Sequence, residues 1–332
     1  MKKIFTILLI LTLAGTVSAQ NFKAGTAGAQ FLKIGVGSRY QGMGEASVAT
    51  VGDVYSMYWN PAGLVEIERS AIAFTNVNWL LDINLNYVGY ARYFEDIGVF
   101  GVSASILSTG EQEITTFEQQ DGTGQTYTAS SYAVGLTFAR QLTSKFAFGA
   151  TAKYVGEKID FVKSRGIAFD FGTLLYTGFN SLRLGMSITN MGPELEFSGT
   201  NLQVPYDPLG GDGSNDAVLA ELKTTGYDLP LAFRVGLAYD LILNQNATVT
   251  WAAEMKHPND QEQQGAIGAE FGWDQMYFLR GGYKINYDEE TFSFGAGLDL
   301  PVTHDTKLVI DYAWQDFGRL ESAQRFSVGF TF

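Results

Sequence analysis

The sequence predicts an all-β fold, a 14-stranded antiparallel transmembrane β-barrel with an N-terminal hatch segment. Three observations carry this. Segments of roughly 9–13 residues alternate apolar and polar side chains, longer than the roughly 5–6 residues of ordinary globular strands and suited to a membrane strand. The connections between them sort by length, short ones alternating with positions where long ones are allowed. The chain closes on an alternating segment, Arg325-Phe326-Ser327-Val328-Gly329-Phe330-Thr331-Phe332.

Composition narrows the class first. The 332 residues include no Cys, only two His, 38 Gly, 46% hydrophobic and 14% aromatic residues, with a net charge of −13. Without Cys there is no disulfide framework and no thiolate zinc site. The acidic balance excludes a nucleic acid partner, which requires clustered Lys and Arg. So apolar a chain is not disordered. Charged residues are 17% of the total, below the roughly 25% of soluble domains. Low charge with much Gly and aromatic is what a membrane β-protein needs.

The first element is an address. Lys2 and Lys3 precede an apolar run from Ile4 to Ala14, and Val17-Ser18-Ala19 offers a small-residue cleavage site. Residues 1–19 therefore read as a secretory signal peptide, cleaved near Ala19, since the apolar run is shorter than the roughly 20 residues that span a bilayer. No Cys follows the site, so no lipid attachment is expected. No later segment is apolar for long enough to be a membrane helix. An exported chain without such helices still enters a membrane as a closed barrel, where every backbone group is paired. The localisation expected is the bacterial outer membrane, among its lipids.

Residues 20–68 do not alternate. They are Gly-rich and then turn-rich, and the economical place for them is inside the barrel, as a hatch. Residues 69–332 form the barrel. Its strands are expected near 69–79, 84–94, 97–108, 128–140, 145–158, 165–177, 181–190, 229–240, 247–257, 264–272, 276–286, 291–300, 306–315 and 324–332. In the third of these, Val99 alternates with Phe100, Val102 and Ile106, and the latter set is assigned to the lumen. With both ends in the periplasm, every connection after an even strand is short. The two long connections, 109–127 and 191–228, both follow odd strands and fall together on the outer side. Aromatic residues near strand ends, such as Trp79, Tyr93, Trp251, Trp273, Tyr277 and Tyr287, are expected either at the headgroup level, which amphipathic rings favour, or filling the lumen. Arg92, Lys153, Asp170, Arg183 and Arg234, with Glu254, Lys256, Arg280, Lys284, Asp299 and Asp311, fall on the polar faces. Their mixed signs predict lumen salt bridges that hold the hatch.

The run from Gly35 to Gly44, followed by Tyr58-Trp59-Asn60-Pro61-Ala62-Gly63-Leu64, resembles the N-terminal signature of the PorV/PorQ family, itself related to the FadL outer-membrane transporters of long-chain fatty acids. In FadL-type proteins an Asn-Pro-Ala motif lies in a hatch inside a fourteen-stranded barrel. The resemblance places Asn60, Pro61 and Ala62 there, and reads terminal Phe332 as the assembly signal of outer-membrane barrels. The residues make sense without the family. Pro61 fixes its own φ and extends Asn60, Asn side chains cap turns, and Gly63 permits backbone conformations closed to other residues. Asn60-Pro61-Ala62-Gly63 is thus expected to be a structural corner of the hatch, able to bear on gating.

Little chemistry is visible. Gly42-Met43-Gly44 lacks the third glycine and the βαβ unit of a dinucleotide fingerprint. Gly210 to Asp216, with Asp207, resembles a single calcium nonapeptide; such repeats work in stacks, and a plain polar loop is expected. His257 and His304 have no visible nucleophile partner. No catalytic residue, metal site or cofactor is expected, and the protein is expected not to be an enzyme. Two functions follow from the resemblance. In one, the barrel handles exported proteins, with a secreted cargo or a secretion pore as partner and the long connections as docking surface. In the other, it is a FadL-like transporter of fatty acids or other hydrophobic solutes, with an apolar lumen pocket beneath the long connections lined by residues such as Phe100, Val102 and Ile106.

Overall fold

The computed structural model describes residues 25–206 and 218–332. The expected leader, residues 1–19, and the calcium-like stretch from Gly210 to Asp216 with Asp207 lie outside the described residues.

Fourteen strands form one closed ring: β1 Ser70–Asn78, β2 Asn84–Phe94, β3 Gly98–Glu113, β4 Thr126–Thr143, β5 Phe146–Ile159, β6 Val162–Tyr176, β7 Arg183–Met191, β8 Ala232–Ile242, β9 Ala247–Pro258, β10 Gln264–Trp273, β11 Tyr277–Ile285, β12 Phe292–Pro301, β13 Lys307–Asp316 and β14 Ser322–Thr331. Each pairs antiparallel with its neighbours in sequence. The ring closes where β1 meets β14, from Ala71 opposite Thr331 to Asn78 opposite Gln324. Phe332 continues this seam by exchanging backbone hydrogen bonds with Ser70, 2.9 Å each. Closure leaves no strand edge exposed, the condition for a sheet in lipid.

The strand ends fall close to those read from alternation, with one difference. β3 and β4 run further, and the first long connection shortens from 109–127 to 114–125. The pairing continues because the register shifts between Ser108 and Glu111, where Gly110 takes φ +68°, a bulge that absorbs the irregular sequence. The second long connection follows β7. Its described parts include Ser198–Gly199, which pairs with the start of β6 at Val162 and Lys163, and a small ladder between Gln203–Pro205 and Leu219–Glu221. Both long connections leave the same end of the ring, here the loop end. Ser70 and Phe332 mark the opposite, terminal end. Tight turns at both ends use Asp96, Asp160, Asn180, Asp274 and Asn286 at positive φ, a region these side chains tolerate.

Alternation sets the two faces. Along β6, Ile167, Phe169 and Leu175 are exposed outward, while Ala168, Asp170 and Leu174 are fully buried inward. What buries the inner face is the N-terminal segment. It carries a 3-10 turn at Gln30–Lys33, helix α1 at Ser38–Gly42, helix α2 at Ser56–Trp59 and a second 3-10 turn at Pro61–Glu66. On each of β2, β3, β5–β8 and β10–β12 one inward glycine lies against its residues 42–62. A segment that touches strands around a closed ring lies within it. The glycines are required by proximity: a Cβ on Gly149 would overlap the backbone of Pro61, one on Gly185 that of Val48, and one on Gly282 that of Gly44.

Candidate functional site

The boundary between residues 25–67 and the inner wall is the candidate site. It has two chemically different halves. Toward β1–β4 it is apolar. Val54, Tyr55, Met57, Trp59 and Leu64 pack with Ala73, Val77, Leu85, Tyr87 and Val99 in one buried cluster. Tyr40 lies near Tyr55 and Trp59, with ring centroids 6.4 and 6.1 Å away.

Toward β8–β14 the boundary is ionic. Arg39 of α1 donates to Glu270 on β10 at 2.9 and 3.0 Å. Glu270 also accepts from Arg280 on β11 at 2.6 Å, and Arg280 reaches Asp311 on β13 at 2.5 Å. This chain of four charges links segment to wall at the terminal half. Nearer the loop end, Lys284 pairs with Glu45 at 2.8 Å and with Glu290. Glu254 accepts from the backbone N–H groups of Ser47 and Val48, both 2.8 Å. Lys153 pairs with the fully buried Asp170 at 2.9 Å. Arg234 stacks over Trp59 at 4.8 Å and stands 3.9 Å from Glu254. Burial pushes the Glu45 carboxyl up, but the ammonium groups of Lys284 and Lys256 outweigh it and hold Glu45 well below the usual carboxylate range. For Asp53 burial prevails over Arg39 and the hydrogen bonds from Tyr40 and Tyr55, and its carboxyl is raised.

The lumen salt bridges expected from the mixed charges are therefore present at Lys153, Asp170, Glu254, Arg280, Lys284 and Asp311. Arg183, inward at the terminal end, pairs with Asp240 at 2.8 Å. Arg92 is a correction: it points outward and is exposed, stacking over Phe94 at 5.5 Å. Phe100, Val102 and Ile106 are another. They face outward, 44–53% exposed, while Val99 is the buried, inward residue. Two of the aromatics near strand ends face the interior, Trp79 against Arg325 and Tyr287 against Lys284. His257 is exposed on the outer wall and His304 is exposed in a turn at the terminal end.

Asn60 is completely buried where the segment turns. Its Nδ2 donates to the carbonyls of Val48, 2.7 Å, and Thr173 on β6, 3.0 Å. Its Oδ1 accepts from Ala62 N at 3.2 Å and caps the 3-10 turn that Pro61 opens. One side chain thus ties two parts of the segment to the wall. Gly63 is needed for a different reason from the one its type implied: its φ is not positive, and a Cβ there would meet Val51 at 2.5 Å. Asn60→Ala should strand two buried carbonyls and one N–H, a loss of about 2 kcal/mol or more. A lower heat-induced mobility transition and faster proteolysis ahead of β1 would register it; an unchanged transition would remove the corner from the account.

Two spaces adjoin the segment. One, about 610 Å³, lies at the terminal end between Asp53, Tyr55 and Glu66 of the segment and Arg280, Asp299 and Asp311 of the wall. The other is apolar, between Phe31, Leu32 and Met57 and the inner faces of β2–β5, and holds about 20 Å³.

The family model described as type IX secretion system protein PorV matches residues 17–258. The chain belongs to the PorV family. The match covers the whole described N-terminal segment and nine of the fourteen strands. No curated protein sequence matches. Among solved structures, the fold is similar to the Pseudomonas putida toluene transporter TodX, with 13% identity, a TM-score of 0.60, and 89% of this chain and 98% of that one covered. It is also similar to the Ralstonia pickettii toluene transporter TbuX, with 14% identity, a TM-score of 0.56, and 89% and 97% covered. The monoaromatic hydrocarbon channel CymD aligns with 13% identity, a TM-score of 0.57, and 90% and 97% covered. This PorV family member is thus a β-barrel of the outer-membrane type, sharing its fold with hydrophobic-solute transporters.

Proposed function

We propose that this protein handles exported proteins at the outer membrane, in a non-enzymatic shuttle or anchor role of the type IX secretion kind. In this reading residues 1–19 are a leader cleaved near Ala19, residues 20–68 are a hatch and residues 69–332 the barrel. The corner at Asn60, Pro61, Ala62 and Gly63 holds the hatch, and Phe332 addresses the barrel for assembly. The terminal end faces the periplasm and the loop end the outside.

The observation that carries the reading beyond the family is the close packing of the segment in the loop-side half of the lumen, the larger space lying at the terminal end among charged residues. A transporter of hydrophobic solutes calls for an apolar pocket beneath the long connections; the space there is about 20 Å³, room for about one water molecule and not for a fatty acid or an aromatic solute. The loop end instead presents apolar tips to solvent: Leu81, 90% exposed, Phe117, 93%, and Leu219, 61%. Leu81 also holds φ +56°, a costly conformation for such a residue, of a kind that clusters at functional surfaces.

The test places a photo-crosslinking residue at Phe117 or Leu219 in cells. Adducts with an exported protein or a secretion pore are expected. Native mass spectrometry showing a bound fatty acid or aromatic solute, with no protein adduct at either position, would overturn the reading and make the hydrophobic transporter the function.

A further inference from the structure

Outward cations are unevenly placed around the loop end. Past the exposed apolar band, β1–β4 present Asn, Ser, Thr and Glu outward, and β7–β14 present apolar, neutral or acidic side chains. Only β5 and β6 differ. Lys158 lies directly opposite Lys163, and Arg165, two residues along the same face, lies opposite Gly156. Like charges set directly across a sheet destabilise it, so this arrangement is retained against a cost. Among the described residues none of the three side chains has an ion pair or a hydrogen bond, and all three are exposed. In a chain of net charge −13 such a cluster has no general electrostatic explanation.

The floor beneath it is apolar. Tyr132 lies over Gly156, where a Cβ would meet its ring at 2.5 Å, and its ring centroid is 6.1 Å from that of Tyr154. Ile167 and Phe169 continue the exposed surface down β6, 51% and 41% exposed. Tyr rings settle at the headgroup level. The three cations therefore stand where lipid phosphates lie, beside the Tyr132 ring that covers Gly156 and above an acyl-compatible wall.

We infer that Lys158, Lys163 and Arg165 form a docking site for a phosphorylated lipid headgroup of the leaflet at the loop end. The inference uses the outward setting of that end in the reading above, but it is read by lipid retention and not by loop crosslinks, so either can fail alone.

The full-length protein, folded in detergent, is mixed with diphosphorylated lipid A and examined by native mass spectrometry. Wild type is expected to retain the lipid, less so as salt rises. Lys158→Gln/Lys163→Gln/Arg165→Gln should retain it about tenfold less or weaker still, each lost cation near a lipid surface counting severalfold. All three positions are exposed, and unchanged heat-dependent gel mobility confirms folding. Arg92→Gln/Arg140→Gln, which removes outward cations at the terminal end, should retain lipid as wild type does. Dephosphorylated lipid A should not be held. Equal retention by the triple variant, or full displacement by millimolar inorganic phosphate, would overturn the inference.

Discussion

Gly282→Val is expected to drive the N-terminal segment off the wall and open the lumen, while Gly281→Val, one residue away, leaves the protein unchanged. The two glycines sit on opposite faces of β11. A Cβ on Gly281 meets nothing within 4 Å, whereas one on Gly282 would overlap the backbone of Met43 and Gly44. Overpacking costs about 1–3 kcal/mol when side chains can shift. Here the obstacle is backbone, and Gly44 is held at φ +68° in the turn after α1, so relief requires the segment to move. The ring itself should persist, because β11 keeps its ladders to β10 and β12. Conductance across planar bilayers and entry of bulky hydrophilic antibiotics should both rise in Gly282→Val alone. A silent Gly282→Val would mean the segment does not bear on closure.

The second large effect is expected at Arg280. Its guanidinium lies between Glu270 and Asp311, all three about 3–6% exposed. Arg280→Met leaves two carboxylates facing each other without their shared cation, and breaking such a buried pair costs about 3–5 kcal/mol. Arg39 would retain Glu270, so the loss should centre on Asp311 and on the wall between β10 and β13. Arg280→Met/Asp311→Met should recover part of the loss, since the orphaned carboxylate is gone while Arg39 still holds Glu270. Denaturant titration of the folded protein reads both. A single variant within about 0.5 kcal/mol of wild type would show the chain of charges to be solvated rather than buried.

Sequence alternation located every strand, because period two survives wherever one face meets lipid and the other does not. It could not say which face was which on β1–β4. Phe100, Val102 and Ile106 face outward, yet their inward neighbours on this part of the ring, such as Leu85, Tyr87 and Val99, are apolar too. The reason is that this half of the lumen is packed by Val54, Met57 and Trp59 rather than filled with water, so both faces are greasy and the pattern loses its sign. On β8–β14 the lumen face is ionic, and there the charged residues were legible. Arg92 misled for a related reason: near a strand end an outward cation meets headgroups as readily as an inward one meets a carboxylate. The Asn60 corner was legible in type, since Asn before Pro specifies an extended cap. That Thr173 accepts from it, and that inward glycines make room for residues 42–62, depends on contacts between residues far apart in sequence and left no local signal.

The path of the segment also constrains the order of events in biogenesis. Gly28 donates to Asp228 in the second long connection, and Lys33 pairs with Asp260 beyond β9. The segment therefore starts at the loop end and descends to Ser70 at the other. A closed ring has no side door. Once β1 and β14 zip together, a chain still tethered upstream of Gly28 to a second membrane could not be drawn through to the far mouth. On the proposed reading of residues 1–19 as a leader, its release would come before the seam closes, and the last hydrogen bonds, between Ser70 and Phe332, would lock the threaded end in place.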